Sequence, residues 1–251
     1  VAEVVVNGAD GTILYSRSPD AARRPASLTK MMTLFMAFDA LDDGRLRLGD
    51  ELVISRRASR QPPSRLGIAA GGKISVKAAL QAVAAVSAND VAVALAERLG
   101  GTEPGFARMM IRKARQLGLR DTRFANASGL TNPGNVTTAR DMASLSVALL
   151  RLHPDRFVFF SKRTIRWRSR RLPNHNHLLG KVTGVDGIKT GYTADAGYNL
   201  AASAKRNGKR IVVVVLGERS AAARDVRVAN LIEQGFTAPT MAVHKRYQIR
   251  R

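Results

Sequence analysis

RRPASLTKMMTLF, residues Arg23 to Phe35, changes character in its middle. A polar, proline-bearing segment stops at Ser27. A long apolar run begins at once and carries Lys30 inside its first turn. The run continues through Met31, Met32, Leu34, Phe35, Met36 and Phe38, apolar on nearly every face. The pattern predicts a helix from about Ser27 to Asp43, packed on several sides in the centre of the molecule, with Gly44 as its C-terminal cap. An ammonium ion at the head of such a helix is costly to bury unless it has partners or work.

Before this helix, AEVVVNGADGTILYS reads as two short strands joined by a turn at Asn7-Gly8 and Asp10-Gly11. After it come a loop, QPPSRLGIAAGG, and a helical stretch, KISVKAALQAVAAV, broken at SAND. A helix resumes in VAVALAERLGG and another follows in PGFARMMIRKARQLG. FANASGLTNPGNVTT is a loop of turn formers. Thr138 with Asp141 predicts a capping box for the helix ARDMASLSVALLRL, which ends at His153-Pro154. The last third is β-rich: RTIRWRS, GVDGIKTGY, and a hairpin pivoting on Asn207-Gly208 in YNLAASAKRNGKRIVVVVLG. A final helix, SAAARDVRVANLIEQGF, closes the series. The expected fold class is α/β of the α+β kind: one antiparallel sheet built from N- and C-terminal strands, flanked by helices, with a mostly helical insertion. The whole of 1–251 is expected to be one domain, with a helical subregion over roughly 45–155.

The chain has 251 residues, 45% of them hydrophobic, which is enough for a full core and excludes a disordered chain. Its 41 Lys and Arg against 19 Asp and Glu give a net charge of +22, a field that attracts polyanions without sequence preference. With no cysteine, thiolate nucleophiles, disulfides and cysteine-held zinc are excluded. No apolar stretch reaches the ~18 residues that span a bilayer. The opening VAEVVVNGADG has neither a charged n-region nor an apolar h-region, so a signal peptide is expected to have been removed or never to have existed.

Ser27 and Lys30 lie three residues apart, one helical turn on one face. A serine hydroxyl becomes a nucleophile when a base takes its proton. A lysine becomes that base when burial and the positive end of a helix lower its pKa. By itself the spacing also fits a chance pair with the lysine snorkelling outward. Ser87-Ala88-Asn89 then breaks an apolar helical stretch and can aim a hydroxyl and an amide at one point, although an ordinary turn does the same. In GIKTGY, Lys189, Thr190 and Gly191 fall on a strand, and Gly191 lets a ligand's backbone approach closely. S-x-x-K, S-x-N and K-T-G occur in that order, the trio found in class A β-lactamases and penicillin-binding proteins.

With these motifs the sequence resembles the low-molecular-mass penicillin-binding proteins, the serine-type D-alanyl-D-alanine carboxypeptidases. The likeness runs over nearly the whole chain, through GTILYSRSPDAARRPASLTKMMT, ASGLTNPGNVTTARDMASL and GVDGIKTGYTADAGYNLAASAKRNGKRIVVVVLG. It implies a β-lactamase/transpeptidase-like fold and an exported bacterial enzyme, periplasmic or associated with the cell wall. The substrate it implies is a peptidoglycan stem peptide ending in D-Ala-D-Ala, with β-lactams as covalent inhibitors and no cofactor. It also implies the roles. Ser27 is acylated, Lys30 is its base and Ser87 passes a proton to the leaving D-alanine. Asn89 bonds the substrate amide, and Lys189 and Thr190 receive the terminal carboxylate. The N–H groups of Ser27 and Tyr192 hold the oxyanion. Lys189, a second cation near Lys30, is expected to lower its pKa further. Tyr192 stands where many members have histidine, which leaves the backbone role intact. Where the family commonly continues into a small β domain and a membrane-anchoring helix, this chain ends in TAPTMAVHKRYQIRR. A shorter soluble member and a truncated one both fit.

Rival readings remain. A class A β-lactamase needs a glutamate base between the second and third motifs, and only Glu97 and Glu103 lie there, in or just after the helix that follows Asn89. A DD-endopeptidase cutting D-alanyl cross-links stays open, because that choice depends on pocket shape, which the sequence does not reveal. A non-catalytic polyanion-binding protein is the alternative of another class. It would use the basic strand KRTIRWRSRR around Trp167 and the cluster Arg56, Arg57 and Arg60. No nucleic-acid-binding signature is present, so specific nucleic acid is not expected, whereas an anionic cell-wall polymer is a possible partner. His175 and His177 alternate as two metal ligands would, but no third histidine is near and no metal is expected.

Overall fold

The run Ile211 to Leu216 is apolar at every position, and the arrangement of the chain explains why. In the computed structural model, which describes residues 1–237, this run lies in a strand whose two faces are both covered. Val212, Val214 and Leu216 enter one core, with the central helix, while Ile211, Val213 and Val215 enter a second core, with the last helix. Alternate side chains of a strand point to opposite faces, so a doubly covered strand has no polar alternation.

The strands are β1 (Ala2–Asn7) and β2 (Ile13–Arg17) at the start. Near the end come β7 (Val185–Thr193), β8 (Gly197–Arg206) and β9 (Lys209–Glu218). They form one antiparallel sheet in the order β2-β1-β9-β8-β7, as expected of a sheet built from both ends of the chain. Asn207 (φ 47°) and Gly208 (φ 79°) make the β8–β9 turn, both left-handed as a two-residue hairpin of type I′ requires. β7 is left as an edge strand.

α1 (Thr29–Asp42) is the central helix. Around it pack α2 (Arg56–Ser59), α3 (Val76–Ala85), α4 (Asn89–Gly100) and α5 (Glu103–Gln116), partly through one another. α6 (Ala139–Leu152) instead returns to the sheet and packs on β1 and β9, inside the stretch expected to be a helical subregion. α7 (Val158–Ser161) follows, and α8 (Ala221–Thr237) covers the second face through Val228, Leu231 and Ile232.

Local departures from expectation have local causes. Ser27 lies in a 3-10 turn, Ala26–Leu28, and the α-helix starts two residues later than expected. Lys73–Ser75, expected to be helical, is a strand, β4, paired with β3 (Glu51–Val53) and pinned by a Lys73–Glu51 ion pair. The helix therefore starts at Val76, with Ser75 as its cap. The capping box at Thr138 is one-sided. Thr138 accepts from Asp141 N–H, but the Asp141 carboxylate accepts from Asp121 N–H and the Thr122 hydroxyl instead of returning to the cap. The basic stretch KRTIRWRSRR, expected to be one strand, turns back on itself instead: β5 (Thr164–Trp167) pairs with β6 (Arg170–Pro173) as a hairpin. Residues 238–251, on which the question of a further domain or anchor falls, lie outside the described residues.

Candidate active site

Three elements converge on a groove of about 400 Å³. The head of α1 brings Ser27, the break between α3 and α4 brings Ser87 and Asn89, and β7 brings Thr190, Gly191 and Tyr192. The three motifs, spread along the chain from Ser27 to Tyr192, thus meet at one groove.

The bend that presents Ser27 is backbone-specified. Ala26 sits at φ 47°, and the loop beneath it passes through Gly129 at φ 80°. A Cβ at Gly129 would lie 1.8 Å from the Ala26 carbonyl oxygen, so only glycine lets that loop reach the turn. That approach matters because the neighbouring Ser128 carbonyl is a partner of Lys30. At Gly191 the fit is tight but less absolute: a Cβ there would sit 3.0 Å from Ser27 N and from Leu28 Cδ1, so its absence makes room for the Ser27 turn and not, as expected from sequence, for a ligand's backbone.

Lys30 is wholly buried. Its Nζ stands 2.9 Å from Ser27 Oγ and 2.7 Å from Asn89 Oδ1, and also donates to the Ser128 carbonyl. Burial lowers its pKa well below the usual lysine value, the charge of Lys189 lowers it further, and Asp90 opposes both. The partners decide what a neutral amine does here. Asn89 Oδ1 and the Ser128 oxygen can only accept, so they take its two N–H bonds. The lone pair is left facing the Ser27 hydroxyl, where a general base must be. Asn89 is also tied by Nδ2 to the Pro62 carbonyl, so one amide hydrogen remains for a ligand. Ser87 is held at φ 60°, and its buried Oγ has no hydrogen-bond partner among the described residues.

Lys189, like Lys30, stands just behind the groove lining: its side chain is buried and its Nζ donates to the Thr190 carbonyl. Burial, then the nearby Arg224, lower its pKa to about 7. The cation that does line the groove beside Thr190 is Arg224, in the first turn of α8, its guanidinium anchored on Asp225 through Nε and Nη2. Sequence reasoning missed it, because one arginine among 41 basic residues carries no signal without its position. Pro63, Ser64 and Tyr198 were missed for the same reason. Tyr192 is exposed and stacks on Tyr198, ring centroids 4.3 Å apart.

His175 and His177 stand on the groove wall. Burial, followed by the charge of Lys189, holds the His175 pKa down to about 4, and His177 Nδ1 lies 3.3 Å from Asp225. The two glutamates weighed as a hydrolytic base are elsewhere: Glu97 accepts from Ser55 Oγ, and Glu103 pairs with Arg57. Among the described residues no carboxylate lines the groove.

Residues 1–220 match the family model described as D-alanyl-D-alanine carboxypeptidase. The chain is 34% identical to the D-alanyl-D-alanine carboxypeptidase DacF of Bacillus subtilis, over 98% of its own length and 64% of that relative's. It superposes on penicillin binding protein 5 from Haemophilus influenzae with a TM-score of 0.90 at 35% identity, covering 94% of this chain and 70% of that one. On Penicillin-Binding Protein D2 from Listeria monocytogenes in its cefotaxime-bound form the TM-score is 0.85 at 34% identity, covering 94% and 96%. The chain spans less than two thirds of the length of most of the curated relatives compared, 64% and 61% for two of them.

Proposed function

This chain belongs to the D-alanyl-D-alanine carboxypeptidase family, and from that premise we propose that it is a serine DD-carboxypeptidase. It removes the terminal D-alanine from peptidoglycan stem peptides through an acyl-enzyme and acts outside the cytoplasm, at the cell wall. The observation that carries the reading is the 2.9 Å contact between Lys30 Nζ and Ser27 Oγ, in a pocket whose other acceptors leave the amine's lone pair to that hydroxyl.

Ser27 Oγ attacks the carbonyl carbon of the penultimate D-alanine as its proton passes to Lys30 Nζ. The N–H groups of Ser27 and Tyr192 hold the oxyanion, worth roughly 10²–10³ in rate for such donors. The C–N bond then breaks. The leaving amine takes a proton from Lys30 through Ser87, whose unpartnered hydroxyl is free to relay it. Water attacks the ester carbonyl as Lys30, neutral again, takes its proton; the acyl C–O bond then breaks and Lys30 returns that proton to Ser27 Oγ. The remaining N–H of Asn89 holds the substrate amide. Thr190 and Arg224 receive the terminal carboxylate, with Lys189 behind them supplying field instead of contact. Gly191 keeps the β7 edge close to Ser27.

A groove without a carboxylate lacks the group that a class A β-lactamase uses to activate its deacylating water. A penicillin should therefore remain attached. Intact-protein mass spectrometry after incubation with a penicillin should show its full mass added once, on the peptide containing Ser27, and none on Ser27→Ala. An adduct mapped elsewhere, or no adduct, overturns the reading.

A further inference from the structure

The β5–β6 hairpin carries a concentration of charge that the chemistry above does not use. Arg163, Arg166, Arg168, Arg170 and Arg171 are all exposed, residues 162–173 contain no acid, and none of the five arginines forms an ion pair among the described residues. The register makes the arrangement specific. Arg166 lies directly opposite Arg171, so two guanidinium groups share the outer face of a two-stranded ribbon. Like charges in that position destabilise a hairpin, and a ligand that neutralised them would remove the penalty.

The inner face holds the ribbon in place. Ile165 is buried, and Trp167 and Leu172 pack against the main core. The tryptophan is therefore not available to enter a lipid surface or to stack on a base, as a membrane or single-stranded nucleic-acid site would require. The base of the ribbon is clamped to the catalytic wall. Asn174 Nδ2 donates to the Lys162 carbonyl, and His175 N–H donates to the Ala85 carbonyl, two residues before Ser87. His175 itself lines the groove, two residues beyond the end of β6. The cationic face thus projects from the rim of the site, about 13 Å long for strands of this length.

We propose that this arginine ribbon is a docking arm for the peptidoglycan strand, binding terminal carboxylates of stem peptides that neighbour the one in the groove. The proposal rests on the carboxypeptidase reading. Each stem that the groove takes ends in a free carboxylate, so a strand bearing many stems is a polyanion of carboxylates. Arginine forks match carboxylates in bidentate geometry. A single short peptide fills the groove alone and never reaches the ribbon.

The test separates docking from catalysis by using Ser27→Ala, which cannot turn over. Binding to insoluble peptidoglycan, stripped of phosphate-bearing polymers, is measured by co-sedimentation across a salt series. Arg166→Gln with Arg171→Gln should weaken binding about five- to thirty-fold, the scale of two exposed ion pairs, and flatten its salt dependence. Arg108→Gln with Arg115→Gln, an equal loss of exposed charge on α5, should change binding less than about two-fold. Amidating the carboxylates of the peptidoglycan should abolish the difference between ribbon variant and parent. In the Ser27 parent background, the ribbon variant should cleave a soluble D-alanyl-D-alanine peptide and take up penicillin as the parent does, which also shows that it is folded. Equal losses from the α5 control, unchanged binding by the ribbon variant, or ribbon-dependent binding only to unstripped wall or to DNA would each overturn the proposal. Failure of penicillin to acylate Ser27 would overturn the carboxypeptidase reading instead, and the binding series is read independently of it.

Discussion

The two walls of the groove are built on opposite plans. On the helical wall the groups that handle the proton are held. Lys30 has three partners and Asn89 is bonded at both ends of its amide, while the Ser87 hydroxyl has no partner among the described residues. On the sheet wall the strand is an edge, Tyr192 is exposed, and Arg224 reaches in from a separate helix. The first plan suits proton transfer, where burial sets a pKa and a fixed lone pair sets a direction. The second suits recognition, where an open strand edge and a cation must accommodate an arriving chain. Chemistry and reading are thus divided between the two layers, and the division can be tested wall by wall.

The largest effect is expected on the helical wall. Lys30→Arg keeps the charge but cannot give up a proton, and penicillin acylation followed by stopped-flow or mass spectrometry should slow by at least ~10²-fold. Acylation at the parent rate would mean that charge, and not basicity, is what Lys30 supplies.

On the sheet wall, a peptide ending in D-alanyl-D-alanine should react about ten- to a hundred-fold faster than its C-terminally amidated form, the scale of one charge-assisted hydrogen bond. Arg224→Ala should flatten that ratio, because Arg224 lines the groove beside Thr190. If the amidated peptide is cut equally well by the parent, the groove does not select a terminus, and an endopeptidase describes it better.

Lys189 touches both plans from behind, and besides its field on Lys30 it should affect stability. Its pKa is about 7 in the fold against 10.5 when solvated. Between those values the unfolded chain binds more protons than the native one, so stability rises with pH across that window. Denaturant melts at pH 7 and pH 10 should show the parent gaining about 3–4 kcal/mol more than Lys189→Met. Equal gains would place the Lys189 ammonium in solvent.

The smallest effect is expected at the exposed ring. Tyr192→Ala removes a stack on Tyr198 but no backbone donor, and kcat/KM should move by less than about threefold. A loss on the scale of Lys30→Arg would show that the side chain takes part.

How much of this was legible follows the same division. Ser27, Lys30, Ser87 and Asn89 announce themselves because a lysine in an apolar helix and a break in another are conflicts with local preference, and such conflicts mark sites. The Asn207-Gly208 hairpin and the doubly buried strand β9 were legible as well, from turn chemistry and apolar runs. What was not legible is carried by backbone or by distance. The Ser128 and Pro62 carbonyls that orient Lys30 and Asn89 have no letter of their own, since every residue has a carbonyl. Arg224 is 35 residues from Lys189 and enters the site only through the packing of α8. The strands β3 and β4 are three residues each, too short for a period to show.

The groove's lack of a carboxylate bears on how such an enzyme would meet an antibiotic. If a penicillin-derived ester on Ser27, whose leaving amine stays tethered over Lys30, has no carboxylate to bring water onto it, each drug molecule is a single-use reagent. Inhibition would then be counted in molecules consumed, and not set by a balance of arrival and departure. A short exposure would outlast the drug itself, and recovery would wait on the synthesis of new protein.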